Sequence, residues 1–218
     1  MFTRGNVWEY WPVFLHGLVL TVELSLIALA AGFVLGMAVG LARTYGPGPV
    51  RLLCTGFTET FRSIPPLLLF FGAFYGLTYA TGLALSPFQA SVIAMTLEAS
   101  AFISEVVRAA FRSVDRGQWN AAQALGLRFW AALWTVIGPQ AIRVLIPPTI
   151  GVYVAVLKDS SFASIVGLVE LTRAGLLVRE TVGDSLTVFL LLSGIYFAIN
   201  FAISSGALAL EARFRFAH

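Results

Sequence analysis

The sequence predicts an all-α integral membrane protein with five transmembrane helices, and three observations carry that prediction. Of 218 residues, 58% are hydrophobic and 11% charged, with a mean hydropathy of +0.86. A soluble fold of this size would have too few polar residues left to cover its surface. Lipid is the remaining solvent, and about 20 apolar residues cross it once as a helix; five such runs are present. The arginines sit at the ends of those runs, which is membrane topology rather than a phosphate-binding face. The net charge of +3 therefore does not point to nucleic acid, and lipid is the expected surround.

The first run covers residues 17–42, preceded by Trp8, Tyr10 and Trp11, aromatics suited to the headgroup level. Ala28-Leu29-Ala30 resembles a signal-peptidase site, but the apolar stretch continues through it to Leu41, so the run reads as a retained anchor. His16 reads as interfacial, and Glu23 as facing other helices. Arg43 and Arg51 bracket a turn of breakers, Gly46-Pro47-Gly48-Pro49. The second run, 54–79, contains Phe61-Arg62-Ser63-Ile64-Pro65-Pro66, where proline must kink a helix or start one. The third is 87–111, the fourth 141–157 and the fifth 185–210, all within one membrane domain.

Between the third and fourth runs lies a polar insert, residues 115–138, longer than a connection requires. Asp115 and Gln118 have capping-box spacing. Ala121, Ala122, Ala124 and Leu125 are strong helix formers, and Gly126 can take a turn that other residues resist. Trp119, Ala122, Gly126, Phe129, Leu133 and Ile137 recur at spacings of three and four, giving one apolar stripe. A folded platform of this kind docks a soluble partner, or else lies on the bilayer as an interfacial helix.

Arginines distribute unevenly over the connections. The 105–143 segment carries Arg108, Arg112, Arg116, Arg128 and Arg143 against Glu105 and Asp115, whereas the 76–87 loop carries no charge. Positive residues stay cytoplasmic. The N-terminus is thus expected outside, with the platform and the C-terminus, whose tail carries Arg213 and Arg215, inside. No GxxxxGK[ST], HExxH or GxSxG motif is present, only His16 and His218 are available, and no duplicated half is visible. The single cysteine, Cys54, excludes an internal disulfide and reads as a small buried hydrophobe.

Charges at depth mark a path or a buried pair, because one at the bilayer centre costs about 2.5–3.5 kcal/mol. Glu98 lies mid-way along the third run, and lines a path or partners an arginine of another helix. Glu105 and Arg108, three apart, are expected to pair on one helical face. Lys158 and Asp159 suit a helix end, either as an interfacial ion pair or where freed backbone groups meet a polar ligand.

Five segments, in order, carry a resemblance. Asn120-Ala121-Ala122, then Gly126, then Ile137-Gly138-Pro139-Gln140-Ala141 resembles the EAA loop of permease subunits of ATP-binding cassette importers. Phe61 to Pro65 resembles the FRGTP-type segment of the polar-amino-acid permeases of the histidine, glutamine and glutamate type. Ala101 to Arg108 resembles their AYxxExxR, Leu157 to Ser161 their LKDTS, and Glu170 to Arg173 their ELTR. Asn120 stands where that family has Glu, Gly138 where it has an apolar residue, and Phe102 where it has Tyr.

The resemblance implies a permease subunit in a bacterial inner membrane, without an ATPase site or cofactor of its own. It implies a second permease subunit, identical or different, an extracytoplasmic substrate-binding protein, and separate ATPase subunits that bind ATP and Mg. Asn120, Ala121, Ala122, Leu125, Gly126 and Leu127 would couple to the ATPase. Glu98, Lys158, Asp159 and Ser160 would line the path for a polar amino acid. Arg62, Pro65, Glu105, Arg108 and Pro139 would be structural. The alternative is a non-transporting scaffold or regulator that docks a soluble partner through the platform.

Overall fold

Lipid cannot hydrogen-bond to backbone, so an apolar chain satisfies its peptide groups internally as helix. The computed structural model describes residues 6–215, with side chains over 6–206, and the side chains of Arg213, Arg215 and His218 lie outside the described ones. A 3-10 turn, Val7–Tyr10, leads into α1 (Trp11–Tyr45). The Asn6 carboxamide starts that turn by accepting from the Trp8 N–H at 3.2 Å. Trp8 and Trp11 are exposed, as headgroup-level aromatics are.

The second run forms two helices, α2 (Gly48–Ser63) and α3 (Pro66–Thr81), bent by 110°. Prolines force the break. Pro65 and Pro66 hold Ile64 and Pro65 extended, at ψ of 128° and 137°. The next helix, α4 (Pro87–Ser113), opens on a capping box. Ser86 Oγ accepts from the Gln89 N–H at 3.2 Å, and Gln89 Oε1 from the Ser86 N–H at 3.0 Å.

Helix α5 (Arg116–Ala124) is followed by α6 (Phe129–Val166), whose last turns from Ser160 are 3-10, then α7 (Leu171–Val182) and α8 (Ser185–Arg215). The polar insert is therefore only partly a connection, because α6 is already helical from Phe129. It runs past Pro139 by taking a π-turn, Leu133–Ile137, in which the Gly138 N–H reaches Leu133 O. Proline cannot donate to the carbonyl four residues back, and the wider turn absorbs that loss. Four helices among the described residues are long and apolar enough to cross a membrane, or five if α2 and α3 together make one span.

Packing centres on α1 against α4. Gly32, Gly36 and Gly40 meet Ala99, Ile103 and Val107 in the same order, so the two helices run parallel. A Cβ on any of the three would come within 2.6 Å of its partner; small residues bring membrane helices together in this way. Parallel neighbours require the chain between them to return, and α2–α3 makes that return. Helix α6 runs antiparallel to α4, with Leu133 and Ile137 near Phe111 and with Val156 and Ala163 near Ala90 and Ala94.

Two expectations change. Glu23 does not face another helix of this chain but is exposed on α1, and Cys54 is half-buried rather than buried.

Candidate functional site

The platform comes first. The Asp115 carboxylate caps α5 by accepting from the Gly117 N–H at 2.6 Å. The expected capping box is not made: Asp115 caps through Gly117 rather than Gln118, whose side chain turns away and accepts from Gln140 Nε2 at 3.2 Å. Helix α5 ends at Gly126, where φ is +75°. The Gly126 N–H bonds to Gln123 O at 2.9 Å and the Leu127 N–H to Ala122 O at 3.0 Å, a Schellman stop that glycine permits.

This turn corrects the single apolar stripe. Its residues lie on two helices meeting at a corner, yet they converge. Trp119 stacks on Phe129 with centroids 5.5 Å apart, and both rings meet Tyr45. Of the coupling candidates only Ala122 is buried; Asn120, Ala121, Leu125 and Gly126 are exposed and Leu127 is half-buried. Leu125 is 80% exposed, and Trp130 and Trp134 extend the bare surface.

Above the platform, Glu105 collects arginines. Arg108 donates from Nε at 3.1 Å, with a second bond from Nη2, and Arg43 donates from Nη1 at 2.9 Å. Arg62 stands 4.0 Å away, its guanidinium over the Phe102 ring. The Glu105–Arg108 pair was legible in the sequence. Arg43, which reads there as a topology marker, is 4% exposed and also reaches Ser104, Thr55 and Glu59. Pro65 starts the corner beside Arg62, and Pro139 is exposed on α6.

Midway along α4, Glu98 is 3% exposed, and its Oε2 has no hydrogen-bond partner. Its carboxyl interacts directly with that of Asp159, which ends the α-helical part of α6. Ser160 is buried, donating to Leu157 O at 2.6 Å. Lys158 attracts Asp159 electrostatically from an exposed position. Thus Glu98, Asp159 and Ser160 come together, with Lys158 at the margin.

Ser160 continues into a second polar group, which sequence reasoning reached only as the ELTR-like segment. The Tyr196 hydroxyl contacts Ser160, lies 3.0 Å from Thr172 Oγ1, and donates to Glu170 Oε2 at 3.1 Å. The Glu170 carboxylate accepts the Thr172 and Arg173 N–H groups at 2.9 Å each, capping α7. Burial pushes this carboxyl above its ordinary range, against the opposing pull of those backbone bonds. Among the described residues no three His, Cys, Asp or Glu side chains are placed to hold a metal.

A sequence family described as the binding-protein-dependent transport system inner membrane component matches residues 32–216. The chain belongs to that family. It is 35% identical over 207 residues, 95% of both chains, to the probable glutamine ABC transporter permease protein GlnM of Bacillus subtilis (strain 168). Identity to the L-cystine transport system permease protein TcyB of the same organism is 33%, over 90% of this chain and 84% of the relative. A solved structure described as an amino acid ABC transporter with histidines matches with a TM-score of 0.87 at 29% identity, over 94% of this chain and 95% of the other. The inward-facing MetNI methionine ABC transporter matches with a TM-score of 0.81 at 20% identity, over 93% and 96%, a likeness of fold. The chain is therefore a membrane permease subunit, and its buried polar groups lie in a transport protein.

Proposed function

We propose that this permease passes a polar amino acid, delivered by an extracytoplasmic binding protein, through a path shared with a second permease chain. Separate ATPase subunits, binding ATP and Mg, drive it, and they seat against α5 and the Gly126 turn. The observation that carries the reading is Glu98, 3% exposed midway along α4 with an unpartnered Oε2, beside the half-buried Asp159 where α6 passes into 3-10 turns. A docking scaffold has no use for a buried carboxyl with a free oxygen at that depth. The relatives support it, being described as permeases for glutamine and L-cystine.

The arginine asymmetry supports an orientation with the N-terminus outside and the platform and C-terminus cytoplasmic. Gly82→Cys and Arg128→Cys, in a Cys54→Ala background, should label from opposite sides of sealed spheroplasts; labelling of both from outside overturns the orientation. The function itself is tested by reconstituting the permease with its ATPase and binding protein in proteoliposomes. ATP-dependent uptake of an amino acid from a mixture is expected, and uptake of none rejects the reading.

A further inference from the structure

Two arginines where α4 meets the platform have no acid to answer them. Arg43, Arg62 and Arg108 are turned to Glu105, and the Asp115 carboxylate is turned to the Gly117 N–H. Arg112 and Arg116 are exposed and pair with no acid among the described residues. Both line one cavity of about 460 Å³, together with Thr44 and Tyr45 at the end of α1 and Trp119 of α5. The Tyr45 hydroxyl is buried without a hydrogen-bond partner, a state that native interiors seldom leave unmatched. Its ring meets Phe111 and Trp119 edge-on, with centroids 6.1 and 5.6 Å away.

Depth decides which anions reach this cavity. The apolar run of α1 ends at Ala42 and that of α4 at Phe111. The two arginines therefore lie just beyond the hydrocarbon, at the headgroup level where Trp and Tyr also gather. From there the α1 face turns apolar. Phe33, Met37, Leu41 and Tyr45 recur every four residues and are all half-buried. Phe33 and Met37 also line a second cavity, of about 540 Å³, with Ile146 and Ile150 of α6 and Ile203 of α8, and no charged side chain borders it. At 1.5 Å per residue, Met37 lies roughly 12 Å and Phe33 roughly 18 Å along α1 from Tyr45. One leaflet is about 15 Å deep, half of a hydrocarbon core of about 30 Å.

A basic end at headgroup level and an uncharged groove one leaflet deep match both parts of a phospholipid. An acidic headgroup brings its phosphate without a cation, whereas a zwitterionic one carries an ammonium toward the two arginines. We infer that Arg112 and Arg116 bind the phosphate of an acidic phospholipid of the cytoplasmic leaflet, with an acyl chain laid along α1 into the Phe33–Met37 groove. The site joins the ends of α1 and α4 to the start of α5, so the bound headgroup holds the platform helix to the bilayer. The choice of leaflet rests on the platform-inside orientation proposed above. Binding in detergent is blind to sidedness, so the site and the orientation stand or fall separately.

The test is binding of phosphatidylglycerol and phosphatidylcholine, of equal chain length, to the delipidated permease–ATPase complex, read by native mass spectrometry. Phosphatidylglycerol is expected to bind about tenfold tighter or more, and Arg112→Gln with Arg116→Gln should remove that preference. Arg128→Gln with Arg143→Gln takes the same charge from outside the cavity and should leave the preference in place. Dihexanoyl-phosphatidylglycerol and inorganic phosphate should compete weakly, because neither fills the groove. Equal binding of the two lipids by the native complex overturns the assignment, a result that depends on no variant folding. So does a preference unchanged without Arg112 and Arg116, or lost equally in both double variants, which reduces it to net charge. Full displacement by inorganic phosphate makes the cavity a free-anion site and overturns the lipid. Release of the ATPase without Arg112 and Arg116, with the lipid still bound, makes the two arginines a subunit contact instead.

Discussion

Arg43 Nη1 lies 2.9 Å from Glu105 Oε2, joining the end of α1 to α4 from a position 4% exposed. The same guanidinium reaches Ser104 on α4 and Thr55 and Glu59 on α2, so it fastens three helices at once. Removing Glu105 leaves that buried cation two hydroxyls, Ser104 and Thr55, and the largely exposed carboxylate of Glu59. Breaking a buried pair costs about 3–5 kcal/mol, and the remaining contacts put Glu105→Ala at the lower end. Arg43→Lys should lose nearly as much, because an ammonium cannot span four acceptors in one plane. Melting of the detergent-purified complex reads both; an unchanged midpoint for Glu105→Ala removes the hub from the account.

The α1–α4 seam gives a second prediction. A Cβ at Gly36 would lie 2.6 Å from Ile103 Cβ and 2.8 Å from Ser100 O. Backbone and a β-branched side chain cannot yield as a flexible chain end does. Gly36→Val must therefore separate the helices, at about 1–3 kcal/mol for overpacking, whereas Gly56→Val, with open space at its Cβ, should cost far less. Comparable melting of the two variants would show that the seam is looser than drawn.

Gly126 tests the platform. Its φ of +75° is held by the two bonds that close α5, and a non-glycine residue there costs about 1–3 kcal/mol. Gly126→Val has open space at its Cβ, so the penalty is conformational rather than a clash. The variant should insert normally but lose substrate-stimulated ATP hydrolysis or release its ATPase in detergent. Full uptake would exclude this turn from transmission.

What the sequence made legible was local. Glu105 and Arg108 are three apart on one helix, and their pairing follows from helical geometry alone. Trp119 and Phe129 carried an apolar spacing that survives the turn between them, although a single helix was the wrong carrier for it. The Gly32, Gly36 and Gly40 repeat was present at intervals of four, but in a run where nearly every residue is apolar it raised no contrast. Arg43 was hidden for the opposite reason. Beside a proline-glycine turn an arginine reads as topology, and its partners Ser104 and Glu105 are distant in sequence. Glu98 and Asp159 were each suspect for their depth, but their meeting depends on where α6 passes from α-helical to 3-10 turns, which the periodicity of an apolar segment does not mark.

Glu170 is wholly buried, and its carboxylate accepts from the Thr172 and Arg173 N–H groups and from the Tyr196 hydroxyl. Glu170→Ala removes the cap of α7, worth about 0.5–2 kcal/mol, and leaves buried donors without an acceptor, at about 1–3 kcal/mol more. Glu170→Gln retains one acceptor oxygen and should lose less. The two variants also differ from the native protein in pH response. Burial raises the Glu170 carboxyl above its ordinary range, so the folded state holds the proton more tightly than the unfolded one. That contribution is complete below the unfolded carboxylate pKa of about 4.3 and declines as pH rises through the raised folded value. Glutamine cannot ionise, so the stability of Glu170→Gln relative to native should improve with rising pH across that window. Thermal melting of both proteins from about pH 4 upward measures it, and a constant difference would mean that the α7 cap carries its charge unaltered by burial.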